Sequence, residues 1–190
     1  MKKVKLNGVE PIEHSNGLTV TDFWSWAYSD LLSNTNRSVF AEFLVAAALD
    51  ITASPRIEWD AVDLRYNGKK IEVKASSHLQ SWQQNKPYSM KFDIEKKRGW
   101  DAQTNTYAEE KCRSADCYVF CVYPELDPEK VNVLDTSKWL FYVVETSNIN
   151  EVCSDQKSIS YSRIRKLYEP VRYGMLKQGI ESVLRFHDGV

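Results

Sequence analysis

Ala61-Val-Asp-Leu-Arg-Tyr66, then Asn67-Gly68, then Lys69-Lys-Ile-Glu-Val-Lys-Ala75 is the stretch on which the fold turns. Two alternating runs flank an Asn-Gly pair. A two-residue type I′ turn needs positive φ at both central positions, and Asn-Gly tolerates that best, so the stretch reads as a β-hairpin. The loop length sets its register: Tyr66 opposite Lys69, Arg65 opposite Lys70, Leu64 opposite Ile71 and Asp63 opposite Glu72. Opposed residues share a face with Cβ atoms about 4.5–5.5 Å apart. Glu72 and Lys74 share that face as well, about 6.8 Å apart along the strand. Asp63, Glu72 and Lys74 are therefore expected on one surface, with Val62, Leu64, Ile71 and Val73 turned into the core. Asp60 falls on the other parity.

Upstream, Thr21-Asp22 reads as a capped helix start leading into Phe23, Trp24, Ala27 and Leu31. Ser33-Asn34-Thr35-Asn36 breaks it. A second helix carries Phe40, Phe43, Leu44, Ala47 and Ile51 at helical spacing and stops before Pro55. Downstream, Ser77 to Gln84 reads as a short helix, with Ser77 and Gln80 spaced as a capping box. Ser89 to Ile94, Cys117 to Tyr123 and Trp139 to Glu145 read as strands, with a polar loop from Pro124 to Ser137. The chain from Ser162 onward reads as helical, with a break near Pro170 or Gly174. No repeat or low-complexity linker interrupts this order. The expectation is a single α/β (α+β-like) domain over residues 1–190, a central mixed β-sheet flanked by helices.

Composition narrows the function classes. The 190 residues carry 25 Lys plus Arg against 26 Asp plus Glu, a formal charge of −1, which excludes a polybasic nucleic-acid binder. With 43% hydrophobic and 27% charged residues the chain is globular rather than disordered. No secretory signal and no apolar run of about 20 residues is present, so a cytoplasmic chain without a membrane span is expected. Four cysteines without a C-x-x-C pair argue against structural zinc, and Cys117 and Cys121 read as buried thiols in an apolar run. Three scattered histidines and no phosphate-cradling glycine loop leave the hairpin as the place for chemistry.

Two directly opposed carboxylates destabilise a purely structural hairpin. They make sense around a divalent cation, and carboxylate oxygens with room for water and phosphate suit Mg²⁺, for which Mn²⁺ can substitute. Lys74 beside them adds the positive charge that metal-assisted phosphodiester hydrolysis uses at the phosphate.

Asp63 followed, after a glycine turn, by Ile71-Glu72-Val73-Lys74 resembles the PD-(D/E)XK superfamily of restriction-endonuclease-like nucleases. Ala41-Glu42-Phe43-Leu44-Val45 looks like the helix that supplies a further metal-site glutamate there. The resemblance is firm from Arg37 to about Tyr88. It implies a restriction-endonuclease-like core with the metal site on the hairpin, and Glu42, Asp63, Glu72 and Lys74 as the metal and catalytic set. Ala115 to Cys121 and Trp139 to Val144 look loosely similar to strands of uncharacterised bacterial members. Val62 stands where the motif's name has proline. Gln84-Asn-Lys-Pro-Tyr88 fits a Gln-x-x-x-Tyr pattern of one exonuclease branch, and Gln83 or Gln84 is the candidate for a substrate contact.

Two segments concentrate positive charge. Lys86, Lys91, Lys96, Lys97 and Arg98 outnumber Asp93 and Glu95, and six basic residues between Tyr161 and Arg185 outnumber Glu169 and Glu181. Beside a nuclease site such segments would hold phosphates. Trp82 and Trp100 could stack on bases or flank the duplex, but tryptophan defaults to core packing, and His78 to the surface. The expectation is a Mg²⁺-dependent DNA endonuclease in restriction or phage defence. The alternatives are a structure-specific DNA repair nuclease or a non-catalytic DNA-binding module of the same fold. A homodimer would suit double-strand cutting, and a partner chain could supply specificity.

Overall fold

In the computed structural model, which describes residues 4–58, 60–101 and 106–184, Asn67 and Gly68 both have positive φ, 47° and 77°. They close strands β1 (Leu64–Tyr66) and β2 (Lys69–Ser77) with Leu64 on Ile71, Arg65 on Lys70 and Tyr66 on Lys69, the register that the turn length requires.

β2 is the element on which the fold is built. Its other edge pairs in parallel with β6 (Cys117–Tyr123), and β6 pairs antiparallel with β7 (Leu140–Glu145). The sheet order is β1-β2-β6-β7, a mixed four-stranded sheet. All seven residues of β6 are buried, as an apolar run without polar alternation requires when both faces are covered. Alternation sorts the side chains. Ile71, Val73, Cys117, Val119 and Phe141 face one cluster, completed by α2 (Asn34–Ala48) and α5 (Leu176–Leu184). Tyr118, Phe120, Val122, Tyr142 and Val144 face the other. That second cluster is closed by α3 (Thr146–Cys153), α4 (Tyr161–Leu167) and a small ribbon of β3 (Lys91–Asp93) with β8 (Ser158–Ser160). α1 (Val20–Tyr28) lies at the periphery with no buried residue, and β4 (Trp100–Asp101) pairs with β5 (Thr106–Tyr107). The class is α+β, with five α-helices among the described residues.

Three expectations are corrected. Ser77 to Gln84 is not a helix: β2 runs on through Ser77, which pairs with Tyr123, and the sheet ladder outcompetes the local signal. The capping-box pair does meet, but as Gln80 Nε2 donating to the Ser77 carbonyl at 2.8 Å. Val62 is buried in the second cluster rather than beside Leu64 and Ile71, because β1 has ended before it. Ser33 starts a helix as well as following one: its hydroxyl accepts from the N–H of Asn36, and α2 begins at Asn34. The C-terminal break is where Pro170 and Gly174 place it, between α4 and α5, while Arg185 lies outside the described residues.

Candidate active site at the end of the hairpin

The β1–β2 ladder stops at Leu64, and the next residue makes a different bond. The Asp63 carboxylate accepts the backbone N–H of Val73 at 2.7 Å, so a side chain takes the place of a ladder carbonyl. This pins Asp63 at the sheet edge. Glu72 and Lys74 project from β2 on the face of Tyr118 and Phe120, their Cα partners, and Lys74 Nζ donates to Glu72 Oε1 at 2.5 Å. Glu42 approaches from α2, on the opposite face, where it is buried and doubly bonded by the Arg56 guanidinium, one contact being 2.8 Å. Glu42, Asp63 and Lys74 line one cavity of about 380 Å³. Glu72 lines a smaller neighbouring space of about 50 Å³ with Lys74, Asp93 and Lys97. The four residues thus wrap around the sheet edge, with Asp63 at the junction.

Charge ties the group together. Burial raises the carboxyl pKa of Asp63, against the Val73 N–H and the Lys74 and Arg56 charges that favour ionisation. Burial also raises Glu72, reinforced by the Asp63 charge and opposed by Lys74. Glu42 is raised by burial and by Asp63, against its bonds to Arg56. For Lys74, burial works to lower the pKa, but the charges of Glu72 and Asp63 outweigh it and hold the ammonium above its ordinary range. Lys74 is therefore held as a cation at neutral pH.

The donor set is all oxygen, the chemistry of Mg²⁺, which is commonly bound through one or two carboxylates with waters completing the shell. Among the described residues no group of three or more acidic, histidine or cysteine side chains is gathered as a cage. Arg56 and Lys74 neutralise part of the charge instead. Burial still holds the Asp63 and Glu72 carboxyls above their ordinary range, and these are the two residues that would hold a divalent cation.

The flanking residues divide. Gln84 is spent on its own loop, accepting from the Gln80 N–H at 2.8 Å and donating to the His78 carbonyl at 3.2 Å. Gln83, Lys86 and Arg98 are exposed. Lys96 pairs with Asp155 at 2.8 Å and Lys97 with Asp93, both at the surface. In the C-terminal segment, Arg163 bonds Gln156 and the Val152 carbonyl, Arg172 the Ser137 carbonyl, and Lys177 Asp50. Trp100 rests on Tyr107, with ring centroids 4.8 Å apart. Trp82 departs from the core default: it is 58% exposed and borders the Glu42–Asp63–Lys74 cavity. Arg56, which meets Glu42 across 14 residues, had no signal in the sequence, because the pairing depends on how the loop after α2 folds back.

Among the described residues no helix is long and apolar enough to cross a membrane. Residues 24–163 match the family model of bacteriophage T4 endonuclease IV. The matched span runs from α1 into α4 and includes Glu42, Asp63, Glu72 and Lys74. No curated protein and no solved structure matches the chain.

Proposed function

Because the chain belongs to the bacteriophage T4 endonuclease IV family, we propose that it is a DNA endonuclease whose reaction runs at the hairpin edge with Mg²⁺, and that its site is of the PD-(D/E)XK kind. The observation that carries this reading is Asp63, held by the Val73 N–H where the β1–β2 ladder ends, sharing one cavity with Glu42 and with Lys74, which bonds Glu72. In it Asp63 and Glu72 hold the metal and Glu42 assists. A divalent cation there supplies positive charge to the phosphate and acidifies water. The Val73 N–H fixes the orientation of Asp63. Lys74 places an ammonium against the charge that builds on the phosphoryl oxygens as water attacks phosphorus and the ester oxygen leaves. Restriction or phage defence is the setting proposed for this reaction.

Supercoiled, linear, single-stranded and branched DNA incubated with Mg²⁺, Mn²⁺ or EDTA tests the proposal. Cleavage is expected with either metal and none in EDTA. Lys74→Ala is expected to lower kcat about 10²–10³-fold, the usual loss on removing one preorganised charge-stabilising group, and Asp63→Ala to abolish cutting. Cleavage that survives EDTA or both substitutions would sink the mechanism. Binding without cutting under every metal would make the protein a DNA-binding module.

A further inference from the structure

Between β2 and β3 the chain forms a closed loop that the proposed reaction does not use. Tyr88 N–H donates to the His78 carbonyl at 2.8 Å, and His78 Nδ1 returns a bond to the Tyr88 carbonyl, also 2.8 Å. Gln84 braces the interior through Gln80 and His78. Gln80 in turn accepts from Arg37 of α2 at 3.3 Å, and Arg37 is 1% exposed. The loop is thus tied shut and anchored to the helix that carries Glu42.

What this scaffold presents is two aromatic rings in solvent. Trp82 is 58% and Tyr88 45% exposed, and among the described residues neither ring stacks on another. Both border the cavity lined by Glu42, Asp63 and Lys74. Both also line an open cleft of about 620 Å³ with Lys86 and Lys91, and Lys91 borders the first cavity as well. Neither lysine meets a carboxylate among the described residues. Exposed rings on a braced loop, beside that cavity and two cations that meet no carboxylate among the described residues, are the parts from which nucleic-acid stacking sites are made.

We propose that Trp82 and Tyr88 form a stacking platform for the nucleobase next to the scissile phosphate, with Lys86 and Lys91 holding the phosphates beyond it. This rests on the endonuclease reading for the position of the phosphate, but its test reads binding alone. The probe is a fluorescein-labelled oligodeoxynucleotide, with an abasic site moved one position at a time, followed by anisotropy in EDTA and in Ca²⁺. Trp82→Ala is expected to weaken binding about tenfold and Trp82→Phe much less. One abasic position is expected to weaken binding to the wild type, and that penalty is expected to vanish in Trp82→Ala. An unchanged affinity in Trp82→Ala, an abasic penalty that persists in it, or no binding by the wild type overturns the platform. Binding through Trp82 by a protein that cuts no DNA would overturn the endonuclease reading and leave the platform standing.

Discussion

At the scale of single residues, the site is a concentration of negative charge held by burial. The turn made the register of Leu64 to Tyr66 legible, and with it the shared face of Glu72 and Lys74, but the ladder ends at Leu64 and the expected pairing of Asp63 with Glu72 does not form. The bond from Asp63 to Val73 and the pairing of Glu42 with Arg56 were not legible, since both depend on where the chain goes after it leaves the regular element. The raised carboxyls have a thermodynamic consequence. As pH climbs through the ordinary carboxylate range the unfolded chain releases protons that folded Glu42, Asp63 and Glu72 still hold. Their contribution to stability is therefore greatest below that range and is lost as pH rises through their folded-state values. A divalent cation that binds ionised carboxylates reverses the loss. Thermal melts should show Mg²⁺ raising Tm more at pH 8 than at pH 5, with the increment at 100 times Kd near 2.7 kcal/mol. Asp63→Asn should remove most of the difference between the two pH values. An equal Mg²⁺ effect at both pH values, or one retained in Asp63→Asn, would place the cation elsewhere.

At the scale of elements, hairpin, turn and strand β6 were readable because each is decided locally, by turn chemistry or by an unbroken apolar run. The loop after β2 was misread for the opposite reason. Its capping-box spacing is a local signal, and pairing of Ser76 and Ser77 with Val122 and Tyr123 overrode it. α3 and β8 were passed over because neither segment alternates or repeats strongly enough to stand out. The turn itself carries a stability prediction. Gly68 has a φ of 77°, and a Cβ there would meet nothing within 4 Å, so the cost of Gly68→Ala is purely conformational. It should come to about 1–2 kcal/mol in denaturant unfolding. Gly68→Asn should cost less, since asparagine visits the left-handed region more readily. A neutral Gly68→Ala would mean that the turn is not what holds β1 in register with β2.

At the scale of the whole molecule, the formal charge of −1 conceals how the cations are used. Both basic segments looked like phosphate-binding faces in the sequence, but ion pairing is a tertiary property that composition does not show. In the C-terminal segment Arg163, Arg172 and Lys177 are built into the fold while Arg165 and Lys166 are exposed, and Lys96 and Lys97 are matched by Asp155 and Asp93. That leaves Lys86, Lys91 and Arg98, none of them paired with a carboxylate among the described residues, as the cations of the first segment for a DNA backbone. Three phosphate contacts set a modest salt dependence. The slope of log K against log salt should be about −2 to −3, depending on whether the strand is single or paired. Anisotropy titrations from low to moderate KCl, using Asp63→Ala to prevent cutting, measure it directly. Lys86→Ala and Lys91→Ala should each flatten the slope by about one. Arg172→Ala, on the C-terminal segment, should leave it unchanged. A slope as steep as that of a polybasic binder, or one that Arg172→Ala flattens, would mean that DNA runs across the α4–α5 side of the protein and not along the loop that carries Trp82.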